Sequence, residues 1–274
     1  MTRSHELLRL QKFLAQAGLA SRRGAEDLIR QGRVKVNDQL VTRMGVKVDP
    51  AKDKISVDEA VINLPKKPHT YLMLNKPRYV LSTTRDEQGR RKTVLDLVKS
   101  DARLFPVGRL DYESEGLILL TTDGDLAQKL THPSYRHERE YHVLVKGDPA
   151  PQTLRRWRAG GFVVDGKPVG PMQVERLTNA GPGWLRVVLR EGRKRQIRAV
   201  AESLGHPVVN LIRVRFGPLK LGKLKPGAWR PLTPREVDML RRSTGGKQPP
   251  PPPKRSQRSQ RSRRRSPHSR KARG

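Results

Sequence analysis

FPVGRLDYESEGLILLTTDGDLAQKLTHPS, residues Phe105 to Ser134, is the stretch on which the reading of the fold turns. It opens on a turn at Pro106 and Gly108, then displays Arg109, Leu110 and Asp111 ahead of two further carboxylates, Glu113 and Glu115. After Gly116 the apolar run Leu117-Ile118-Leu119-Leu120 has the length of a buried strand. Thr121-Thr122-Asp123-Gly124 turns the chain, and Asp123 is placed to cap a helix over Asp125 to Leu130. That helix must stop near His132-Pro133, because proline disfavours helix in the residue before it. An Arg and an Asp two positions apart beside a glycine suit a loop that presents both side chains to a ligand. A capped turn carrying an ordinary surface pair explains the same residues equally well.

Charge narrows the choice. The chain of 274 residues carries 58 Lys and Arg against 26 Asp and Glu, a net +32. Self-repulsion of that size destabilises a compact chain unless it meets a polyanion, so nucleic acid is the expected partner. Residues 247 to 274 hold 11 of the basic residues and no acid, which leaves 32 − 11 = +21 on the remainder. With no cysteine, disulfides, thiolate metal sites and thiol catalysis are excluded. The N-terminus has no secretory pattern, and no apolar run approaches the ~20 residues that span a bilayer. A cytoplasmic protein with no membrane association is expected.

Outward from the central stretch the chain divides. In LRLQKFLAQAGLASRRGAEDLIRQGRVKVNDQLV, Leu10, Phe13, Leu14 and Ala17 share one helical face, and Gly18 ends that helix. Ser21 caps a second helix with Ala25, Leu28 and Ile29 inward, and Gly32 stops it. Val34, Val36, Leu40 and Val41 suggest two short strands about Asn37-Asp38. Arg22, Arg23, Arg30, Arg33 and Lys35 gather at the ends of the second helix, as an RNA-backbone patch or a solvated face would. Further on, strands are expected at Tyr71 to Leu74, Tyr141 to Val145, Phe162 to Val164, Met172 to Val174, Trp184 to Leu189 (long enough to lie centrally) and Val208 to Val214. Helical segments are expected at Val94 to Val98, at Pro151 to Gly160 on the surface, at Gln196 to Leu204, and as a terminal turn at Val237 to Leu240. Many strands and few helices imply an α+β chain with a mixed, mostly antiparallel sheet flanked by helices. From Ser243 the composition turns to Pro, Arg and Ser, a basic tail expected to be disordered.

The central motif resembles that of the RsuA/RluB-type ribosomal RNA pseudouridine synthases. The likeness continues through EREYHVLV (Glu138 to Val145), REGRKRQIRAV (Arg190 to Val200) and LIRVRFGPLKL (Leu211 to Leu221), and covers about residues 8 to 242. Residues 8–64, with the SRR step and GRVKVN, resemble the S4 RNA-binding domain, a small α/β unit. The expected division is therefore S4-like domain 8–64, linker 65–69, catalytic domain 70–242 and tail 243–274. The resemblance implies an enzyme that turns uridine into pseudouridine by base flipping, without cofactor or metal. Its implied partner is ribosomal RNA or a ribosomal subunit precursor, large-subunit RNA being favoured over small-subunit RNA, and the chain is expected to act as a monomer. Asp111 matches the catalytic aspartate, Tyr141 the active-site tyrosine, and Arg198 the basic partner of the aspartate, with Arg193 and Arg195 as alternatives or phosphate contacts. Arg109 resembles a residue that fills the space of the flipped base, and Leu211 and Ile212 the apolar pocket floor. One departure is Tyr79, where related chains often carry glycine; if that glycine needs positive φ, a loop built differently here, away from the chemistry, is expected. The competing class is a noncatalytic S4-containing RNA-binding or ribosome-assembly factor.

Overall fold

In the computed structural model, which describes residues 7–65 and 68–245, the apolar run Leu117–Leu120 lies in a strand, Glu115–Thr121, with both faces covered. Its side chains alternate as a pleated strand requires. Ile118 and Leu120 enter one core, and Leu117 and Leu119 enter another on the opposite face. Asp123 caps the helix that follows, Gly124–Thr131, by accepting from the Leu126 amide at 2.9 Å. The helix ends at His132, as the following proline demands.

This strand sits inside a nine-stranded sheet. The order across it is Gln173–Arg176, Trp184–Leu189, Arg139–Val145, Val208–Phe216, Glu115–Thr121, Tyr71–Lys76 and Trp229–Pro231. Leu219–Lys220 pairs with Val208–Phe216, and Phe105–Val107 with Glu115–Thr121. Among the described strands of this sheet every pairing is antiparallel except one, where Ile212 and Arg213 run parallel to Glu115 and Gly116. That seam joins the two halves of the domain. Helices Pro151–Ala159 and Gln196–Ser203 bury Leu154, Trp157, Ile197 and Val200 on one face. Helices Gly124–Thr131 and Pro234–Ser243 bury Leu126, Leu130 and Leu240 on the other. The architecture is the expected α+β one.

The N-terminal unit has its own core of Leu10, Phe13, Leu14, Ala25, Ile29, Val34 and Ile55. Ser21 caps the helix Arg22–Arg30 by accepting from the Gly24 amide at 3.0 Å. Asn37 and Asp38 both take positive φ, which makes the tight turn between Val34–Val36 and Gln39–Leu40.

Several local expectations need correction. Val94–Val98 forms turns rather than helix, because Asp96 accepts from the Thr93 amide and hydroxyl and Val94 bonds to Leu81. Trp184–Leu189 lies second from an edge, not centrally. The terminal turn at Val237–Leu240 is a full helix, begun by a reciprocal Thr233–Glu236 capping box. It runs through Ser243, and Thr244 is buried, so the folded unit extends past the expected tail boundary. The tail from residue 246 onward lies outside the described residues.

At the seam, Gly116 has φ +105°, and a Cβ there would stand 2.3 Å from the Arg213 carbonyl oxygen. Gly116→Ala is therefore expected to destabilise by about 3 kcal/mol or more in urea unfolding, while Gly205→Ala, with positive φ but open space, costs about 1 kcal/mol. Equal costs for the two would show that the seam has room to spare.

Candidate active site

Asp111 follows the Phe105–Val107 strand and Gly108, whose φ is +73°. Its backbone is pinned on both sides. The Ser82 hydroxyl donates to the Leu110 carbonyl (2.9 Å) and accepts from the Leu110 amide (3.1 Å). Beyond Asp111, the Tyr79 amide donates to the Tyr112 carbonyl at 2.7 Å. The Ser114 amide closes the turn onto the Asp111 carbonyl at 3.0 Å.

Beneath this turn lies a fully buried lysine. The Lys76 ammonium donates to the carbonyls of Val80 (2.8 Å), Pro77 (2.9 Å) and Tyr112 (3.4 Å). Burial lowers its pKa to about 8, against the pull of the Glu115 and Asp111 carboxylates. Three carbonyl acceptors answer its three donors, so the charge is solvated by backbone rather than by an ion pair. Lys76 thereby ties the strand Tyr71–Lys76 to the Asp111 turn.

Opposite stands the loop Arg190–Arg195 and the helix it enters. Buried Gln196 donates to Glu191 at 2.9 Å and accepts from the Arg193 amide at 3.2 Å, while Glu191 accepts from the Gly170 amide at 3.0 Å. Arg193 also bonds to the Lys167 carbonyl at 2.7 Å. From the helix, Arg195 and Arg198 both grip the Asp111 turn at Glu113. Arg195 reaches the Glu113 carboxylate at 3.3 Å, and Arg198 bonds to the Glu113 carbonyl (3.4 Å) and the Ser114 hydroxyl (3.3 Å).

The cleft between these elements is lined by Arg109, Asp111, Arg139, Tyr141, Arg193, Lys194, Arg195, Leu211 and Arg213, among others. Asp111 is the single carboxylate among its lining residues, against six cations. Tyr141 is 9 % exposed and walls the cleft from the strand Arg139–Val145. Leu211 belongs to the same core as Tyr141, on the facing strand.

The structure therefore brings together Arg109, Asp111, Tyr141, Arg193, Arg195 and Leu211. Ile212 is not with them: adjacent strand residues point to opposite faces, and Ile212 packs into the second core. Arg198 does not line the cleft or pair with Asp111. It lies behind the turn, half-buried, with its pKa lowered by burial while Glu113 and Asp111 oppose the shift. Tyr79 overturns the expectation made for it twice. Its φ is +62°, the conformation a glycine would supply, and its amide bond to Tyr112 puts it next to Asp111. In the S4 unit, Arg22 and Arg23 are exposed and have no ion-pair partner among the described residues, whereas Arg33 pairs with Asp58 and Lys35 with Glu59. Sequence reading missed Lys76, Ser82, Arg139 and Arg213. Only the lone Arg of EREY and the basic character of LIRVRF hinted at the last two.

A carboxylate held in a cationic, partly apolar cleft, beside an RNA-binding type of N-terminal unit, defines a two-domain protein built for chemistry on a polyanion. Residues 8–55 match the S4 domain and residues 70–203 match RNA pseudouridylate synthase. The ribosomal large subunit pseudouridine synthase B of Bacillus subtilis is 42 % identical over 237 residues, covering 85 % of this chain and 95 % of the relative. An RNA pseudouridine synthase of Aquifex aeolicus is 41 % identical over 245 residues, covering 89 % and 97 %. A crystal structure of a pseudouridylate synthase superposes with a TM-score of 0.62 at 29 % identity, over 85 % of this chain and 99 % of that one. The chain belongs to the S4-containing RNA pseudouridine synthases.

Because Arg198 bonds to the Glu113 carbonyl and the Ser114 hydroxyl of the Asp111 turn, Arg198→Ala should lower single-turnover rate about 100-fold while RNA affinity changes little. Parallel losses in rate and affinity would instead make it a phosphate contact.

Proposed function

We propose that this protein isomerises a uridine of large-subunit ribosomal RNA to pseudouridine, with Asp111 as nucleophile. The observation that carries this reading is the lone carboxylate of the cleft, pinned through its backbone and facing Tyr141 and Leu211. The reaction breaks the N1–C1′ bond, turns the uracil and joins C5 to C1′. C5 loses its proton and N1 gains one, so no reagent is consumed. A carboxylate serves as nucleophile in such glycosidic chemistry. The target base must leave its stack to reach the cleft. Arg109, exposed at the rim, fills the space it vacates, and the Tyr141 ring stacks on the uracil with Leu211 beneath.

The cations divide the remaining work. Lys76 and Arg198 lie close enough to feel the Asp111 carboxylate, which opposes the lowering of their own pKa values by burial. Arg193, Lys194 and Arg195 meet phosphates, as do Arg22 and Arg23 of the S4 unit. The large-subunit assignment rests on the Bacillus subtilis relative. The same reading has the protein act as a monomer in the cytoplasm, on ribosomal RNA or a subunit precursor. Neither cofactor nor metal enters the scheme.

Asp111→Asn is nearly isosteric and should bind ribosomal RNA as the parent does. It should release no tritium from RNA labelled at uridine C5, because that hydrogen leaves only after C5 has joined the ribose. A parent protein that releases nothing would favour the noncatalytic assembly factor, and normal turnover by Asp111→Asn would remove the nucleophile assignment.

The tail from residue 246 is basic and lacks aromatic residues. Its removal should weaken RNA binding and flatten the dependence of affinity on salt, with the modified position unchanged. A shifted modification site in the truncated protein would make the tail a specificity element.

A further inference from the structure

Beside the Asp111 turn, two tyrosines stand at the surface with no role in the chemistry above. Tyr79 is 57 % exposed and Tyr112 is 37 % exposed. Their rings meet edge to face with centroids 5.5 Å apart. The Arg78 guanidinium lies 5.3 Å from the Tyr79 ring centre, and that of Arg91 lies 5.9 Å from the Tyr112 ring centre. Exposed Arg85, Arg90 and Lys92 follow on the next loop, with no ion-pair partner among the described residues.

Two features set this pair apart from ordinary surface aromatics. Tyr79 holds φ at +62°, a conformation that costs a non-glycine residue roughly 1–2 kcal/mol. A glycine would relieve that strain, and the exposed ring buries too little to offset it, so the fold gains little from a tyrosine here. The strain is held by the Tyr79 amide donating to the Tyr112 carbonyl, one residue from Asp111. The two rings are thus fixed to the same turn that carries Asp111.

We propose that Tyr79 and Tyr112 form a stacking platform for an unpaired nucleotide adjoining the target uridine, and so contribute to the choice of site. Exposed aromatic faces flanked by guanidinium groups are suited to unstacked RNA bases, with the cations taking the neighbouring phosphates. Flipping the uridine unstacks its neighbours, and the platform returns part of that lost stacking. A protein partner fits less well, because the patch is small and ringed by cations.

This inference rests on the reading of Asp111 as the nucleophile, and its test separates the two. Tyr79→Gly removes the ring and relieves the backbone, so the full-length variant should melt no lower than the parent. On a large-subunit ribosomal RNA transcript tritiated at uridine C5, its KM should rise about 10-fold, the loss falling in KM rather than in kcat. Tyr79→Phe keeps the ring and should restore KM. In the Asp111→Asn background the same two changes should lose and regain affinity for the transcript by similar factors. Unchanged KM and affinity in Tyr79→Gly would overturn the platform, as would a loss that Tyr79→Phe fails to restore. If the parent released no tritium, the nucleophile reading would fall, and the affinity measurements would still decide the platform. Position is read separately: p-azidophenylalanine in place of Tyr79, irradiated with the transcript, should crosslink within about two nucleotides of the modified uridine. Crosslinks only at distant nucleotides would overturn the proposal.

Discussion

The close approach of Gly116 to the Arg213 backbone is the constraint on which the rest of the domain depends. It is the single parallel pairing in the described sheet and, among the described residues, the one strand ladder that joins its two antiparallel halves. No side chain fits at Gly116, and the Arg213 guanidinium crosses the seam to donate to the Leu117 carbonyl at 2.8 Å. Strand ends from both halves meet there. One half delivers the Asp111 turn, and the other delivers Tyr141, Leu211 and the loop leading to Arg198. A shift at the seam would move Asp111 relative to Tyr141 and Leu211.

Charge is arranged around that geometry in two layers. The outer cations, Arg109, Arg193, Lys194 and Arg195, line an open cleft where a polyanion can reach them. The inner ones, Lys76 and Arg213, are buried: Lys76 is solvated by three backbone carbonyls, whereas Arg213 donates to one and its second terminal nitrogen has no partner among the described residues. Burying a charge is costly unless its hydrogen bonds are met, so such groups persist where they fix something. Lys76 fixes the carbonyls of three residues, the last of them adjacent to Asp111. Arg198 reaches the same turn from the opposite side through Glu113 and Ser114. The turn is thus gripped between strand-borne Lys76 and helix-borne Arg198, which keeps Asp111 from drifting.

Much of this was legible in the chain. The Leu117–Leu120 run, the Asp123 cap and the Ser21 cap are local signals, and local signals survive folding. The motifs also marked the residues that meet in the cleft from two distant parts of the chain. What stayed hidden depends on pairing between distant segments. Alternation says that Leu211 and Ile212 face opposite ways, but only the partner strand decides which faces the cleft. Arg198 reads as a cation near a carboxylate, and nothing in its neighbourhood reveals that the carboxylate it meets is Glu113. Lys76 looks like the polar end of a strand until the Pro77–Val80 loop folds back over it. The strand Trp229–Pro231 is three residues with a proline at its end, too short to announce itself. Tyr79 hid for a different reason: a tyrosine gives no sign of a left-handed backbone.

The central claim is that this fold positions Asp111 to modify one class of RNA, that of the large ribosomal subunit. The most direct measurement is a nucleotide-resolution pseudouridine map of both ribosomal RNAs from cells lacking the protein, complemented with the parent or with Asp111→Asn. The account predicts that a pseudouridine in large-subunit RNA disappears with the protein, returns with the parent and stays absent with the asparagine variant. Identical maps in all strains, or a lost pseudouridine in small-subunit RNA, would contradict it.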